Sequence, residues 1–322
     1  MISRVKIANY KSVENADFEA RRVNVFIGEP NSGKSNMLEA LGLLSTEGIT
    51  QLGKLARIQQ PADLFFDREI ERVVEVTAEP DNRLKVGFDN GKFVLSAAIG
   101  GRTMNGITYH AANVGFQGGD FSRSNVRCYL YRGIAKEEWN NTHYGHLLPP
   151  YGTNLPALLY TNKALRDSIS AFFKSKGFRL ELRPQDNEMF MSKIVDDVIT
   201  SFPFESISET MKRIVFYKAA LESNKDAVLI FDEPEANTFP LFTKYLAERI
   251  ALDETNQFFF STHNPYVLMN VIEKTPQADL AVYATRMRNY RTELHRFTPE
   301  DCAEALDLGM DLFLNLDRFF PE

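Results

Sequence analysis

The chain has 322 residues, 44% hydrophobic and 25% charged, with a formal net charge of −6 and two cysteines. This is the composition of a soluble protein with one large or two modest cored domains, and its acidic balance excludes a surface that binds nucleic acid everywhere. No apolar run approaches the ~20 residues that cross a bilayer, and Met1-Ile2-Ser3-Arg4-Val5-Lys6 leads straight into an alternating strand, so the expectation is a cytoplasmic protein without membrane span or secretory signal.

Val5, Ile7 and Tyr10 alternate, and Val23 to Ile27, Val73 to Val76, Leu84 to Phe88 and Phe93 to Ala97 are apolar runs bounded by Gly, Asn and Asp, a pattern that predicts strands. Asp89-Asn90-Gly91 predicts a hairpin turn between the last two. Residues 1–100 therefore read as a β-rich lobe. Within it, Gly28-Glu29-Pro30-Asn31-Ser32-Gly33-Lys34-Ser35 fits G-x-x-x-x-G-K-[ST], preceded by the strand Val23 to Ile27 and followed by Met37, Leu38, Leu41 and Leu44 at helical spacing. Strand, loop and helix in that order aim backbone N–H groups and a helix dipole at one spot, a seat for a highly charged anion. Lys34 adds a charge for the β and γ phosphates, Ser35 a hydroxyl for Mg²⁺, and the site runs on into Asn36.

Gly100 to Gly119 and Trp139 to Thr153 are rich in Gly, Asn and Pro and read as loops or an irregular insertion. Val126 to Tyr131 reads as a strand and Leu155 to Phe173 as a helix, so residues 101–205 form an insertion with a helical segment. From 206 to 322, helices around Met211 to Leu221 and Leu241 to Ile250 alternate with buried strands at Ala227 to Phe231, Phe258 to Ser261 and Leu280 to Ala284, which predicts a parallel sheet covered by helices.

Ala227 to Phe231 ends in Asp232-Glu233, and ligands of parallel sheets sit beyond the carboxyl ends of the strands. Adjacent residues point to opposite faces, so Asp232 suits the Mg²⁺ shell with Ser35, and Glu233 the polarisation of the attacking water. Phe258 to Phe260 runs into Ser261-Thr262-His263-Asn264, where His263 is in place to donate to the γ phosphate. His110, His143, His146 and His295 lack such a setting, with His143 and His146 a weak metal pair at i, i+3; Cys128 and Cys302 read as packing residues.

Gly28 to Ser35, the box Asp232-Glu233-Pro234-Glu235, Ser261-Thr262-His263-Asn264 and the opening Ile7-Ala8-Asn9-Tyr10-Lys11-Ser12 together resemble the ABC-type AAA ATPases of the RecF, SMC and overcoming-lysogenization-defect group. The separation of about 200 residues between Lys34 and Asp232 suits that group better than a GTPase or small kinase, and no Asn-Lys-x-Asp for guanine is present. The resemblance implies an α/β fold: a P-loop ABC-ATPase head with a β-rich N-terminal lobe, a parallel sheet flanked by helices and a helical or irregular insertion. It implies ATP and Mg²⁺ as ligands, Lys11 near the phosphates, and a signature segment that reaches a partner's nucleotide in a head-to-tail, ATP-dependent homodimer or larger homo-oligomer. Ile207-Ser208-Glu209-Thr210-Met211-Lys212-Arg213 occupies the signature place, with Ser208 matching and Thr210 standing where glycine is expected; a plain Ser N-cap reads the same residues. Gln51, Gln59 and Gln60 compete for the metal-contacting glutamine, and nothing singles one out.

No 3.5-residue seam exists for SMC-type arms. About 60 residues follow His263, so the nuclease of the overcoming-lysogenization-defect proteins is expected in a separate polypeptide. The function implied is an ATP-gated dimerisation switch in DNA maintenance or antiphage defence with a separately encoded effector. The alternative is an ATP-bound scaffold with little turnover. DNA rests on two thin patterns, Arg286-Met287-Arg288-Asn289-Tyr290-Arg291 and Arg21-Arg22, and a solvated hairpin explains the first equally well. The apolar tail Leu312, Phe313, Leu316, Phe319 and Phe320 reads as core or as a partner-docking helix.

Overall fold

The period-2 pattern at the N-terminus buries Val5, Ile7 and Tyr10 on one face of β1 (Arg4–Tyr10) in the computed structural model, which describes residues 1–45, 52–110, 113–117, 124–133, 139–140 and 145–320. This strand pairs antiparallel with β2 (Val13–Glu19) and β4 (Val74–Ala78). Beyond β4 the sheet continues through β5 (Asn82–Asp89), β6 (Lys92–Ile99), β7 (Arg102–His110) and β8 (Asn113–Gln117). Asn90 and Gly91, at φ 49° and 78°, make the expected turn between β5 and β6.

A second sheet has the order β16-β15-β3-β14-β13-β9, with β3 (Val23–Gly28), β9 (Val126–Tyr129), β13 (Val228–Phe231), β14 (Gln257–Ser261), β15 (Leu280–Arg288) and β16 (Arg291–Arg296). β14 runs parallel to both β3 and β13, and β15 runs parallel to β3. Every residue of β3, β13 and β14 is buried, as continuous apolar runs in a parallel sheet must be. Helix α1 (Lys34–Gly42) follows β3 and packs on both sheets through its buried Met37, Leu38, Ala40 and Leu41.

The chain divides into two compact units: residues 1–128, 226–235 and 247–322 form the first, and residues 129–225 and 236–246 the second. The first holds both sheets, α1, α6 (Pro265–Lys274) and α7 (Pro299–Leu308). The second holds α2 (Leu155–Thr161), α3 (Lys163–Lys174), a three-stranded meander and α4 (Glu209–Ser223). Helix α5 (Pro240–Leu252) begins in the second and ends in the first. Among the described residues no helix is long and apolar enough to cross a membrane.

Several local readings change. Residues 102–110 and 113–117 are not loop but the paired strands β7 and β8, and Gly100-Gly101, at φ 55° and 79°, turns Ile99 back onto Arg102. The single helix expected from Leu155 to Phe173 breaks at Asn162, whose ψ of 97° is non-helical and whose side chain accepts the Leu165 N–H to start α3. Residues 179–203, without an assigned element in the sequence, form β10 (Arg179–Arg183), β11 (Glu188–Val195) and β12 (Val198–Pro203). Arg22, half of a suspected basic pair, is a tether instead: its guanidinium donates to the carbonyls of Ile250, Ala251 and Asp253 at the end of α5 and pairs with Asp279. The tail packs as core, with Leu312, Leu316, Phe319 and Phe320 buried.

Candidate nucleotide site

Parallel β3, β14 and β13 end on one edge of the sheet, so Gly28, Ser261 and Asp232 leave it side by side within the first unit. Gly28 opens the loop at φ 155° and Gly33 closes it at φ 100° as the N-cap of α1. Gly33 brings no side chain to cap the helix, and α1 has no acidic residue in its first turn, so its N–H groups face the loop's hollow without a competing carboxylate. Lys34 is 5% exposed and folds over the loop, donating to the Gly28 and Glu29 carbonyls at 2.8 Å each. Burial pushes its ammonium below the ordinary lysine range, against the pull of Glu233, Asp232 and Glu29. Glu29, Pro30 and Asn31 are exposed at the loop's crest, Ser32 is buried, and Ser35 and Asn36 are half-buried on the first turn of α1.

Across from the loop, Ser261 Oγ donates to Asp232 Oδ1 at 2.5 Å and accepts the Glu233 N–H at 3.0 Å. Glu233 has φ 45°, a left-handed backbone that a non-glycine residue keeps only when its surroundings enforce it. Its Oε1 lies 3.1 Å from Nδ1 of His263. The structure therefore brings Lys34, Asp232, Glu233 and His263 to one edge of one sheet. A buried lysine, helix N–H groups and the nearby carboxylates fit a polyphosphate with a hard cation, because the cradle is cationic on one side and offers oxygen donors on the other.

The fold over nearly the whole chain is that of Smc heads. A structure of the SmcHead bound to the C-winged helix domain of ScpA aligns with 94% of this chain and 99% of its own, at 15% identity and a TM-score of 0.53. An Smc head domain with an extended coiled coil, derived from Pyrococcus furiosus and bound to the C-terminal domain of ScpA, aligns with 95% of this chain and 98% of its own, at 13% identity and a TM-score of 0.55. No curated protein matches the chain by sequence. Residues 1–127 match the family "AAA ATPase domain", and residues 131–270 match the family "AAA domain, putative AbiEii toxin, Type IV TA system". The two matches make this an ATPase of the AAA type, in a fold like that of Smc heads. It binds nucleotide and hydrolyses ATP.

What the sequence did not reveal is how this ATPase braces its loop. A Cβ on Gly33 would lie 2.0 Å from Thr292 Oγ1, and one on Gly28 2.4 Å from Thr285 Oγ1, so the β15–β16 hairpin presses directly on the loop. Thr285 Oγ1 lies 2.6 Å from Ser32 Oγ, Thr292 Oγ1 lies 2.7 Å from Ser12 Oγ, and Asn36 donates to that same Ser12 at 2.7 Å. Asn36 is thus turned back to the scaffold. Two threonines on a hairpin in the last fifth of the chain carry no motif, and only the fold brings them to residues 28–36.

Lys11, at φ 47°, pairs with Glu39 of α1, which also takes Arg57 Nε at 2.6 Å and the Tyr10 hydroxyl at 3.3 Å. Gln59 and Gln60 both give their N–H to Asp63, while Gln51 lies outside the described residues. Ser208 belongs to the second unit, where it N-caps α4 by accepting the Met211 N–H at 3.3 Å, and Thr210 Oγ1 donates to the Asn237 carbonyl at 3.0 Å. His295 sits 3.4 Å from Asp301, His110 lies on β7, and His143 of the weak metal pair lies outside the described residues. Arg286 and Arg291 of the suspected nucleic-acid patch are paired with Glu293 and Glu14.

Proposed function

We propose that the ATPase works as an Mg²⁺-dependent switch whose ATP-bound form closes head to tail on a second copy, and that hydrolysis reopens it. The observation that carries this reading is the meeting of Glu233 and His263 at the sheet edge that also holds Lys34 and Asp232. In it, the Lys34 ammonium leaves the Gly28 and Glu29 carbonyls for the β and γ phosphates, and N–H groups between Asn31 and Asn36 hold the remaining oxygens. Ser35 and Asp232 hold Mg²⁺, which supplies charge neutralisation at the phosphates when bound. Glu233 orients and deprotonates the attacking water, and His263 donates to the γ phosphate. Ser208 of each copy contacts the other's nucleotide, after giving up its cap on α4. A protein effector encoded separately, in DNA maintenance or antiphage defence, reads the closed state; the partner-bound Smc heads named above support a partner of this kind.

A second reading, an ATP-bound scaffold with little turnover, draws on the hydrogen bond of Thr210 to Asn237 and on the capping bond of Ser208, both of which closure across a dimer has to accommodate. The deciding experiment is the mass in solution of Glu233→Gln with and without Mg-ATP, by light scattering on a sizing column. Glu233→Gln removes the base and leaves the loop intact. Doubling of the mass with Mg-ATP alone is the expected result. An unchanged mass, together with tight ATP retention by the wild type, moves the assignment to the scaffold.

A further inference from the structure

The three residues that follow Phe260 each hold one carboxylate of the facing turn. Ser261 Oγ donates to Asp232 at 2.5 Å, Thr262 Oγ1 donates to Glu235 Oε1 at 2.5 Å, and His263 Nδ1 lies 3.1 Å from Glu233. The rungs differ in depth. Thr262 and Glu235 are 0% and 4% exposed, whereas the His263 and Glu233 side chains are 56% and 35% exposed. A polar contact as open as the outer one holds its partners weakly, because water competes for both groups. A hydrogen bond as buried as the middle one has no water to replace it, so breaking it leaves polar atoms stranded. Thr262 Oγ1 also accepts the Asn264 N–H at 3.0 Å, and Asn264 Oδ1 accepts the Tyr266 N–H at 2.9 Å to start α6. His263 therefore sits between two residues pinned through one hydroxyl.

We propose that Thr262 and Glu235 are positioning residues for ATP hydrolysis: their buried hydrogen bond, rather than the exposed contact of His263 with Glu233, sets those two side chains against each other. The proposal rests on the reading of Glu233 and His263 as the hydrolytic groups. Glu233 is held from below by Ser261, and the Thr262–Glu235 rung fixes the distance between the two turns that carry Glu233 and His263. The hydrogen bond of Thr262 to Glu235 joins the two turns and not the loop from Gly28 to Ser35. Losing the rung lets the His263 turn drift, which affects the chemical step more than the binding of ATP. Burial raises the Glu235 carboxyl above the usual carboxylate range, in keeping with an acceptor that serves structure rather than solvent.

The test uses the full chain and four variants: Thr262→Val, which keeps the shape and removes the hydroxyl, Thr262→Ser, which restores it, Glu235→Ala, and the Thr262→Val/Glu235→Ala double variant. Thr262→Val and Glu235→Ala are expected to lower kcat by about tenfold to a hundredfold, the scale of a small misplacement of catalytic groups. The ATP Kd should stay within about threefold of wild type, and the double variant should be no worse than the worse single one. Thr262→Ser should recover most of the lost rate. Wild-type kcat in Thr262→Val overturns the proposal, and so does a parallel loss of kcat and ATP affinity that serine fails to rescue. Should the wild type itself show no turnover above Lys34→Ala, the hydrolytic reading fails, and the ring resonances of His263 in the nucleotide-free protein decide the positioning claim. Thr262→Val should shift them as Glu233→Gln does; resonances unchanged from wild type sink it.

Discussion

Single side chains in this ATPase hold the backbone where the sequence looks ordinary. Thr292 is the sharpest case: 7% exposed, it fills the space that any side chain at Gly33 would take, and its hydroxyl links to Ser12 and through it to Asn36. Thr292→Val keeps the volume and removes that link, so about 1 kcal/mol of stability should go with it. A loop braced on one side fewer should bind ATP several-fold more weakly, which titration of a fluorescent nucleotide measures; unchanged affinity would show that the brace is packing alone. Cys302 gives a second expectation at this scale. Burial pushes its thiol up to about 11, so at pH 8 only about one molecule in a thousand carries the reactive thiolate. Iodoacetamide at that pH should leave Cys302 intact in the folded chain and modify it in guanidinium, as read by peptide mass. Rapid native labelling would contradict the packing role.

At the scale of elements, polar side chains decide where helices begin and end. Asn162 cuts a continuous apolar periodicity into α2 and α3, and Asn162→Ala should cost about 1 kcal/mol, since α3 loses the acceptor for its Leu165 N–H. Arg22 holds three carbonyls where α5 ends, and Arg22→Lys should destabilise by roughly 2 kcal/mol in a denaturant melt, because an ammonium cannot span that set as a guanidinium fork does. The same elements explain what was legible. Strands β3, β13 and β14 were readable because burial on both faces demands unbroken apolar runs, and the loop and Asp232-Glu233 follow from where such strands end. The strand pair β7–β8 was not, because its Gly and Asn content hides the alternation; its one signal was Gly100-Gly101. The meander β10–β12 buries only Met189 and Met191 of its large apolar residues, while Val195, Val198 and Ile199 are exposed, so its alternation is too short to advertise a strand. Thr285 and Thr292 were invisible as site-shaping residues because hydroxyls are common, and only proximity gives these ones a role.

For the whole molecule, the candidate site is a property of the folded first unit, since residues 28–36, 232–233 and 263 are brought together only by the order of strands in one sheet. An unfolded chain offers no such cradle, so Mg-ATP should bind the native state alone and stabilise it by mass action. At a hundred times Kd the gain is about 2.7 kcal/mol, which for a domain of this size raises the melting temperature by roughly 5 °C or more. Lys34→Ala removes the buried ammonium from the cradle and should abolish the shift. The second unit, residues 129–225 and 236–246, supplies none of these groups. If calorimetry resolves two transitions, the one belonging to the first unit should move with Mg-ATP even at protein concentrations too low for dimerisation, whereas a shift of the second should appear only where the closed dimer forms and should be lost in Ser208→Ala, which removes the N-cap of α4 proposed to meet the other copy's nucleotide.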